Sequence, residues 1–257
     1  MRKDLEEIAA RLGALPGLTD LAITTNGLVL AKKLPALQRA GLTAVNISLD
    51  TLVPAKFELL TRRPGHERVL AAIDAALGCG YSPVKVNCVV MRGVNDDELL
   101  NFVALTKHRP LNVRFIEYMP FDGNAWASKK MVSYAEMRAA VAAAHPGMTR
   151  ADDAPEEVAK NFTLPGHVGS VSFVTSMSAH FCGGCNRLRL MADGALKVCL
   201  FGSNELQLRD AMRGGATEEE LARLIGSAVM RKKAAHAGTP VDRLFAQPNR
   251  AMVKIGG

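Results

Sequence analysis

The sequence predicts an α/β protein in which a parallel sheet is covered by helices. Short apolar runs alternate with stretches of helical periodicity along the first 128 residues, and several of the runs are almost continuously apolar. Strands that alternate with helices are typical of parallel sheets, and near-continuous apolar strands are typical of sheets buried on both faces. Four strand–helix steps are too few for a closed eight-fold barrel. They fit an open α/β sheet or a barrel that lacks its first units.

The chain begins with a helical pattern, in which Leu5, Ile8, Ala9 and Leu12 share one apolar face. The next apolar runs predict strands over 18–24, 44–50, 84–91 and 112–118. The stretches between and after them predict helices over 31–40, 53–60, 66–77 and 96–107.

Ligands of such folds bind at the carboxyl ends of the strands. That rule selects the polar and sulfur-bearing residues at or just beyond the predicted strand ends: Thr24, Thr25, Asn26, Ser48, Asp50, Asn87, Arg92, Glu117 and Met119. Lys85 and Arg114 lie inside strands, where a charged side chain needs a specific partner. Each of these residues also has a structural interpretation. Thr25 and Asn26 suit a turn, Ser48 and Asp50 suit a helix cap, and Met119 suits a core.

The pattern changes after residue 128, which divides the chain into predicted domains 1–128 and 129–257. Ser133 and Glu136 form a capping box that begins a helix to about residue 144. Shorter strands at 157–163 and 168–175 indicate an antiparallel layer. The remaining predictions are a cysteine hairpin, a short helix over 206–212, a helix that begins with the capping box 217–220, and an extended tail over 247–257. The basic residues 231–233 suit the dipole at the end of that helix.

Three cysteines predict a metal site with one open coordination position. Cys182 and Cys185 form a CxxC pair, and the turn at 192–194 folds Cys199 back toward them. Arg187 and Arg189 follow on alternate residues, so both point to one side of a strand and favour an anion such as phosphate. A redox disulfide, or zinc with His180 as fourth ligand, remains an alternative. The other cysteines, Cys79 and Cys88, are predicted to be small core residues.

The composition is that of an ordinary globular chain, with 257 residues and a formal charge of +7. No apolar run approaches the ~18–20 residues that span a bilayer. A cluster of thiols without a disulfide framework favours a reducing compartment. Because aromatic residues do not alternate with the basic ones, nucleic acid is disfavoured as a partner, and no membrane partner is expected.

Several segments occur in the order found in one known family. They are 22–27 (AITTNG), 45–50 (VNISLD), 84–87 (VKVN), 114–117 (RFIE), 181–189 (FCGGCNRLR), 199–202 (CLFG) and the terminal Gly256-Gly257. Over nearly its whole length the chain resembles the molybdenum cofactor biosynthesis protein A family. These radical S-adenosylmethionine enzymes are called GTP 3′,8-cyclases. The segment 117–124 (EYMPFDGN) is more similar to the eukaryotic members than to the bacterial ones.

The resemblance implies an incomplete (β/α)6 barrel with a C-terminal antiparallel and helical layer that carries a second 4Fe–4S cluster. It assigns Cys182, Cys185 and Cys199 to that cluster and places the Gly256-Gly257 tail in the active site. S-adenosylmethionine contacts are assigned to Ser48 and Met119. GTP contacts are assigned to Thr24, Lys85, Arg114, Arg187, Leu188 and Arg189.

The implied reaction is the first step of molybdenum cofactor biosynthesis. A 5′-deoxyadenosyl radical takes a ribose hydrogen from GTP, and the carbon radical attacks C8 of guanine to give (8S)-3′,8-cyclo-7,8-dihydroguanosine 5′-triphosphate. In the family a CxxxCxxC motif holds the first cluster, which cleaves S-adenosylmethionine, but these 257 residues contain no such motif. The chain is therefore expected to begin after the second barrel strand and to be inactive alone. The alternatives are a catalytically silent iron–sulfur, GTP-binding module and a zinc-binding structural domain.

The family also implies where the chain works and what it works with. Cyclic pyranopterin monophosphate synthase is the implied pathway partner, and a homodimer is a further expectation. The location implied by eukaryotic members is the mitochondrial matrix, with the cytoplasm as the alternative for a bacterial member.

Overall fold

The computed structural model describes residues 3–124, 127–246 and 248–255, which form two compact units. The first unit contains the residues up to Glu117, Val132–Asp153 and Ala159–Val174. The second contains Tyr118–Met131, Ala154–Val158 and the residues from Thr175 onward. The predicted domains 1–128 and 129–257 were each assigned a functional role, and this division stays a prediction.

The first unit contains a seven-stranded mixed sheet with the order β1-β2-β3-β4-β7-β6-β5. Strands β1 to β4 and β7 run in one direction, β6 is antiparallel to β7, and β5 is antiparallel to β6. The strands are β1 (Ala22–Thr25), β2 (Ala44–Ser48), β3 (Val84–Val90), β4 (Leu111–Glu117), β5 (Thr149–Arg150), β6 (Ala159–Thr163) and β7 (Ser170–Val174). The α/β class predicted from the alternating pattern is confirmed.

The helices of the first unit follow the predicted apolar periodicity. Pro54 occupies the first turn of its helix, where its missing N–H leaves no hydrogen bond unmade. Ser133 and Glu136 form the predicted capping box. The helices are α1 (Leu5–Gly13), α2 (Leu30–Arg39), α3 (Pro54–Thr61), α4 (His66–Gly78), α5 (Leu99–Ala104) and α6 (Tyr134–Ala144). The helix predicted over 96–107 is shorter, because Asp96–Glu98 forms a separate 3-10 turn.

The core of the first unit lies on one face of the sheet. Along β3 every second residue is buried, beginning with Val84 and Val86, and the residues between them are only half-buried. Leu34 and Leu37 of α2 and Ile73 of α4 belong to the same buried cluster. Full burial of one such side chain stabilises the fold by about 1.5–3 kcal/mol. The helices therefore cover the apolar face, which leaves the other face of the strands for polar residues.

One pairing differs from the prediction. The antiparallel pairing predicted for 157–163 and 168–175 is confirmed between β6 and β7. However, β7 also pairs in parallel with β4, from Asn112↔Ser170 to Ile116↔Val174. The strand is buried along nearly its whole length. A short apolar run of this kind does not reveal which neighbours it pairs with, because pairing depends on contacts distant in sequence.

The second unit contains a three-stranded antiparallel sheet in the order β10-β9-β8. Its strands are β8 (Arg189–Leu190), β9 (Ala195–Lys197) and β10 (Leu206–Gln207), and its helices are α7 (Leu208–Arg213), α8 (Glu218–Met230) and α9 (Met252–Ile255). The predicted hairpin is confirmed, and Gly194 in its turn has a positive φ of 82°. The prediction of an extended tail is wrong for α9, whose four residues are helical. No helix in the described part of the chain has the length and hydrophobicity to cross a membrane.

Candidate functional site

One face of the seven-stranded sheet carries polar side chains, and we call it the polar face. Residues that are paired on neighbouring strands point to the same face. The paired residues form two rows, one of Thr24, Asn46, Lys85 and Asn112, and one of Ser48, Asn87, Arg114 and Ser172. The structure therefore brings Thr24, Ser48, Lys85 and Arg114 together on a single face.

Several groups on the polar face lack a protein partner. The Oδ1 atoms of Asn46 and Asn87 are buried and accept no hydrogen bond from any described residue. Lys85 is half-buried and forms no ion pair or hydrogen bond within the described part of the chain. Asn112, by contrast, donates to Ser170 Oγ at 2.8 Å and to Ser172 Oγ at 2.6 Å. A buried polar group without a hydrogen bond costs about 1–3 kcal/mol, so the polar face is suited to a ligand that supplies the missing partners.

A cavity of about 360 Å³ opens where β1 and β2 end. Asp50 is its acidic group, and its carboxylate accepts a hydrogen bond from the Val89 N–H at 2.8 Å. Burial raises the pKa of Asp50 to about 6, and the hydrogen bond from Val89 offsets only part of that rise. The cavity is lined by Asn26, Leu28, Ser48, Asp50, Thr51, Phe57, Leu60, Thr61 and Arg63.

Glu98 holds the segment that follows Asp50. Its side chain is 2% exposed and accepts hydrogen bonds from Thr51 Oγ1 at 2.7 Å, from the Leu52 N–H at 2.6 Å and from Lys56 Nζ at 3.0 Å. Sequence reasoning missed Glu98, because an acidic run at the start of a helix is usually exposed. Leu52 and Glu98 are 46 positions apart in sequence, so no local pattern reveals the contact.

Two residues selected by the strand-end rule have structural partners instead. Glu117 is fully buried and accepts a hydrogen bond from the Tyr134 N–H at 2.8 Å, at the start of α6. Arg92 forms an ion pair with Glu136 at 2.6 Å. Hydrogen bonds from the Ser133 backbone and hydroxyl, followed by the Arg92 contact, lower the pKa of Glu136 to about 2. Both residues therefore contribute to the anchoring of α6.

In the second unit, Cys182 and Cys185 lie at the two ends of one tight turn. The Cys185 N–H donates to the Cys182 carbonyl oxygen at 3.2 Å. Gly184 is required in this turn, because a Cβ atom there would lie 2.1 Å from the Pro155 carbonyl oxygen. Burial raises the pKa of Cys182, and the nearby charges of Cys199 and Cys185 raise it further against a hydrogen bond from the His236 N–H. Cys199 lies two residues after the end of β9, and all three thiols are free and half-buried.

Free, half-buried thiols in this number are a donor set that suits an iron–sulfur cluster or zinc. Among the residues that the structure describes, no group of three or more His, Cys, Asp or Glu side chains could hold a metal ion as the side chains stand. His180, the alternative fourth ligand, packs edge-on against His236 with 4.9 Å between the ring centroids. The chemistry of the thiols is therefore suitable, and metal ligation stays a prediction.

Arg187 and Arg189 follow the CxxC pair in sequence, and the burial of this segment alternates from residue to residue. Arg187 and Arg189 are half-buried, whereas Asn186, Leu188 and Leu190 between and beyond them are exposed. Arg187 Nη2 donates to the Glu156 carbonyl oxygen at 2.8 Å, but its Nη1 is buried without a partner among the described residues. Burial lowers the pKa of the Arg189 guanidinium, and the Cys185 and Cys199 thiols oppose that shift while Arg187 adds to it. Neither arginine pairs with a described carboxylate, so both are available to an anion.

Lys232 is a further residue that sequence reasoning missed. Residues 231–233 are expected to match the helix dipole, but the Lys232 ammonium instead donates to the Cys185 carbonyl oxygen at 2.6 Å and to Cys185 Sγ at 3.2 Å. Burial raises the pKa of the Cys185 thiol, but hydrogen bonds from the Arg187 N–H and from Lys232 outweigh it, and the pKa is lowered.

The remaining predicted site residues do not form one described cluster. Ser48 lines the cavity of the first unit, and Met119, in the second unit, is only 8% exposed. Gly256 and Gly257 lie outside the described residues. Cys88 is buried in the core as predicted, and Cys79 is half-buried.

The mixed α/β sheet is consistent with a protein of the radical S-adenosylmethionine class, and comparison with known families shows that class. Residues 1–106 match the Radical SAM superfamily, and residues 111–238 match Molybdenum Cofactor Synthesis C. Its relatives specify the class further. The chain is 42% identical over 257 residues to the GTP 3′,8-cyclase of Moorella thermoacetica, covering 100% of this chain and 78% of that protein. The chain belongs to the GTP 3′,8-cyclase family of molybdenum cofactor biosynthesis.

Eukaryotic relatives are more similar and longer. The mitochondrial GTP 3′,8-cyclase of Arabidopsis thaliana is 62% identical over 257 residues, which cover 100% of this chain and 65% of that protein. Molybdenum cofactor biosynthesis protein 1 of Homo sapiens is 56% identical over 255 residues, which cover 99% of this chain and 40% of that protein. The chain thus spans between two fifths and two thirds of the length of these two relatives.

Proposed function

We propose that this chain supplies the GTP-holding part of a GTP 3′,8-cyclase, which converts GTP to (8S)-3′,8-cyclo-7,8-dihydroguanosine 5′-triphosphate. The observation that carries the proposal concerns each unit separately: Lys85 in the first unit, and Arg187 and Arg189 in the second, pair with no carboxylate in the described part of the chain. A half-buried cation is stable only when an anion or several acceptors compensate its lost hydration. A triphosphate provides such an anion, and guanidinium groups bind phosphate oxygens in a bidentate manner.

Each predicted contact has a distinct physical task in this proposal. Lys85 supplies a compact positive charge from the polar face, and Arg187 and Arg189 supply planar donors that fix the orientation of the ligand. Thr24, Arg114 and Leu188 complete the GTP contacts. Ser48 and Met119 contact S-adenosylmethionine, one through a hydroxyl group and the other through an apolar thioether side chain.

Cys182, Cys185 and Cys199 would hold a 4Fe–4S cluster in this proposal. Three thiolate ligands leave one iron of such a cluster without a protein ligand, and that iron would meet the guanine base. The chain itself orients GTP by charge and excludes water from its phosphates. The first unit is part of an incomplete (β/α)6 barrel, and the second unit provides the cluster layer.

The 257 residues contain five cysteines and no CxxxCxxC motif, so we expect this stretch alone not to cleave S-adenosylmethionine. With S-adenosylmethionine and a reductant added, the purified chain should release no 5′-deoxyadenosine, and its appearance would contradict this part of the proposal. Cyclic pyranopterin monophosphate synthase would use the product of the complete reaction. The proposed location is the mitochondrial matrix, and the proposed assembly is a homodimer.

Anaerobic purification with iron and sulfide tests the metal proposal. The expected protein is brown, contains iron and sulfide in equal amounts and loses its colour in air. A colourless protein with one zinc per chain would instead favour a structural zinc site at the same cysteines.

GTP binding tests the cationic site directly. Replacing both Arg187 and Arg189 by Ala should weaken binding by about 100-fold or more, because each hydrogen bond to a charged group contributes about 1.5–3 kcal/mol. The iron content should stay unchanged, since the arginines are not ligands. Arg213→Ala with Arg223→Ala is the matched control, because both arginines are exposed and lie in the same unit. Equal GTP affinity in the two double variants would remove Arg187 and Arg189 from the site.

A further inference from the structure

Lys232 uses its ammonium group on one short segment of the second unit. Its Nζ donates to the Cys185 carbonyl oxygen at 2.6 Å, to Cys185 Sγ at 3.2 Å and to the Arg187 carbonyl oxygen at 3.3 Å. An ammonium group has three N–H donors, so this arrangement uses all of them. The segment 185–187 is therefore held at both ends and at its thiol by one side chain that is 45 to 47 residues away in sequence.

The charge of Lys232 is directed at the sulfur rather than at a carboxylate. The residue is half-buried, and no described Asp or Glu forms an ion pair with it. Its neighbours Arg231 and Lys233 are exposed. A half-buried ammonium needs acceptors in place of its lost hydration, and the Cys185 sulfur is one of the three that Lys232 has. The other two acceptors are carbonyl oxygens, whose lone pairs stabilise an ammonium without neutralising it.

The residues that follow Lys232 are themselves held in place. The His236 ring contacts the Ser176 carbonyl oxygen at 2.7 Å. His236 and Ala237 have positive φ angles of 44° and 55°, a conformation that non-glycine residues seldom adopt. A backbone in this region is retained only where surrounding contacts hold it. The chain that follows Lys232 is therefore anchored independently of the Lys232 side chain.

We propose that Lys232 is a positioning residue that fixes the Cys185–Arg187 segment, so that the metal-binding thiol and the anion-binding arginine keep one spacing. This role rests on the proposed function of the cysteines and arginines. Because one side chain holds both residues, Lys232 would couple metal retention at Cys185 to anion binding at Arg187. Loss of Lys232 should weaken metal retention and GTP binding together, whereas loss of Arg187 and Arg189 should weaken GTP binding only.

The test compares Lys232→Met with Lys233→Met, which removes the same charge from the next, exposed residue. In the anaerobically reconstituted protein, Lys232→Met should retain iron about 10–100-fold less well against a chelator, as is typical when a group that supports a metal ligand is removed. Its GTP affinity should fall, and its electron paramagnetic resonance spectrum should differ from that of the wild type. Lys232→Arg keeps the charge and several donors and should restore the wild-type spectrum in large part. Lys233→Met should behave as the wild type.

A readout without metal separates this proposal from the proposed function. In the metal-free chain, hydrogen–deuterium exchange should increase over residues 185–190 in Lys232→Met and not in Lys233→Met, with unchanged circular dichroism in both. If the wild type takes up no iron, the proposed cluster is wrong, and the exchange comparison still decides whether Lys232 positions the segment. Equal exchange, iron retention and GTP affinity in the two variants would overturn the role of Lys232.

Discussion

Replacing Glu98 by Ala should strongly destabilise the first unit. The carboxylate is 2% exposed and accepts hydrogen bonds from Thr51, Leu52 and Lys56 at 2.6 to 3.0 Å. Its removal leaves a buried hydroxyl and a backbone N–H without acceptors. Each unsatisfied group costs about 1–3 kcal/mol, so we expect a loss of about 3–5 kcal/mol in the free energy of unfolding.

Thermal unfolding followed by circular dichroism measures this loss. A decrease of 3–5 kcal/mol corresponds to a midpoint lowered by roughly 6–20 °C for a protein of this size. Glu98→Gln keeps one carbonyl acceptor and should lie between the wild type and Glu98→Ala. Asp97→Asn is the matched control, because Asp97 is 68% exposed and shares the contact with Lys56. If Glu98→Ala melts at the same temperature as Asp97→Asn, the buried hydrogen bonds do not hold the segment after Asp50.

Two further predictions concern the cavity carboxylate and the tail. The pKa of Asp50 is raised from 3.8 to about 6 in the folded chain, so the folded state binds its proton more tightly than the unfolded state. Protonated Asp50 therefore contributes at most about 3 kcal/mol to the free energy of unfolding. This contribution is fully present below pH 4 and is lost as the pH rises through 6. Denaturant titrations at pH 4 and pH 7 should show a smaller difference for Asp50→Asn than for the wild type, and equal differences would contradict burial as the cause. Lys197 is 1% exposed and donates to Gly202 at 2.6 Å and to Asn249 at 3.0 Å. Lys197→Met should speed trypsin cleavage at Arg250 relative to the exposed control Lys254→Met; equal rates would show that Lys197 does not anchor the tail.

Local patterns predicted most elements of the fold. The helices at Leu30–Arg39 and His66–Gly78 lie where apolar residues recur at helical spacing, and both capping boxes form as their sequences indicate. These features depend on residues within one or two helical turns of each other. The parallel pairing of β7 with β4 depends on residues 58 positions apart and was not predictable from the composition of either strand. The short helix Met252–Ile255 was also missed, since four residues give too little periodicity.

Within the candidate site, the residues that share the polar face were predictable, because strand alternation decides to which face a side chain points. Thr24, Ser48, Lys85 and Arg114 share the polar face because strand register and alternation fix their directions. The alternation of Arg187 and Arg189 follows from the same geometry. The groups that support these residues, such as Glu98 and Lys232, come from distant segments. Their own neighbours in sequence suggest an exposed acidic turn and a basic helix end, so no local signal identifies them.

Site residues whose polar atoms have protein partners differ from those whose polar atoms have none in what they contribute to folding. Glu98 is satisfied by three donors, so it stabilises the folded chain whether or not a ligand is bound. Asn46, Asn87 and Arg187 each bury a polar atom that no described residue satisfies. Such atoms destabilise the unliganded fold by about 1–3 kcal/mol each, and sequences retain them where a ligand completes their hydrogen bonds. In the first unit Asn46 is the cross-strand partner of Lys85, and in the second unit Arg187 lies two residues before Arg189. In each unit by itself, a polar anionic ligand would therefore stabilise the chain where the protein alone leaves hydrogen bonds unmade.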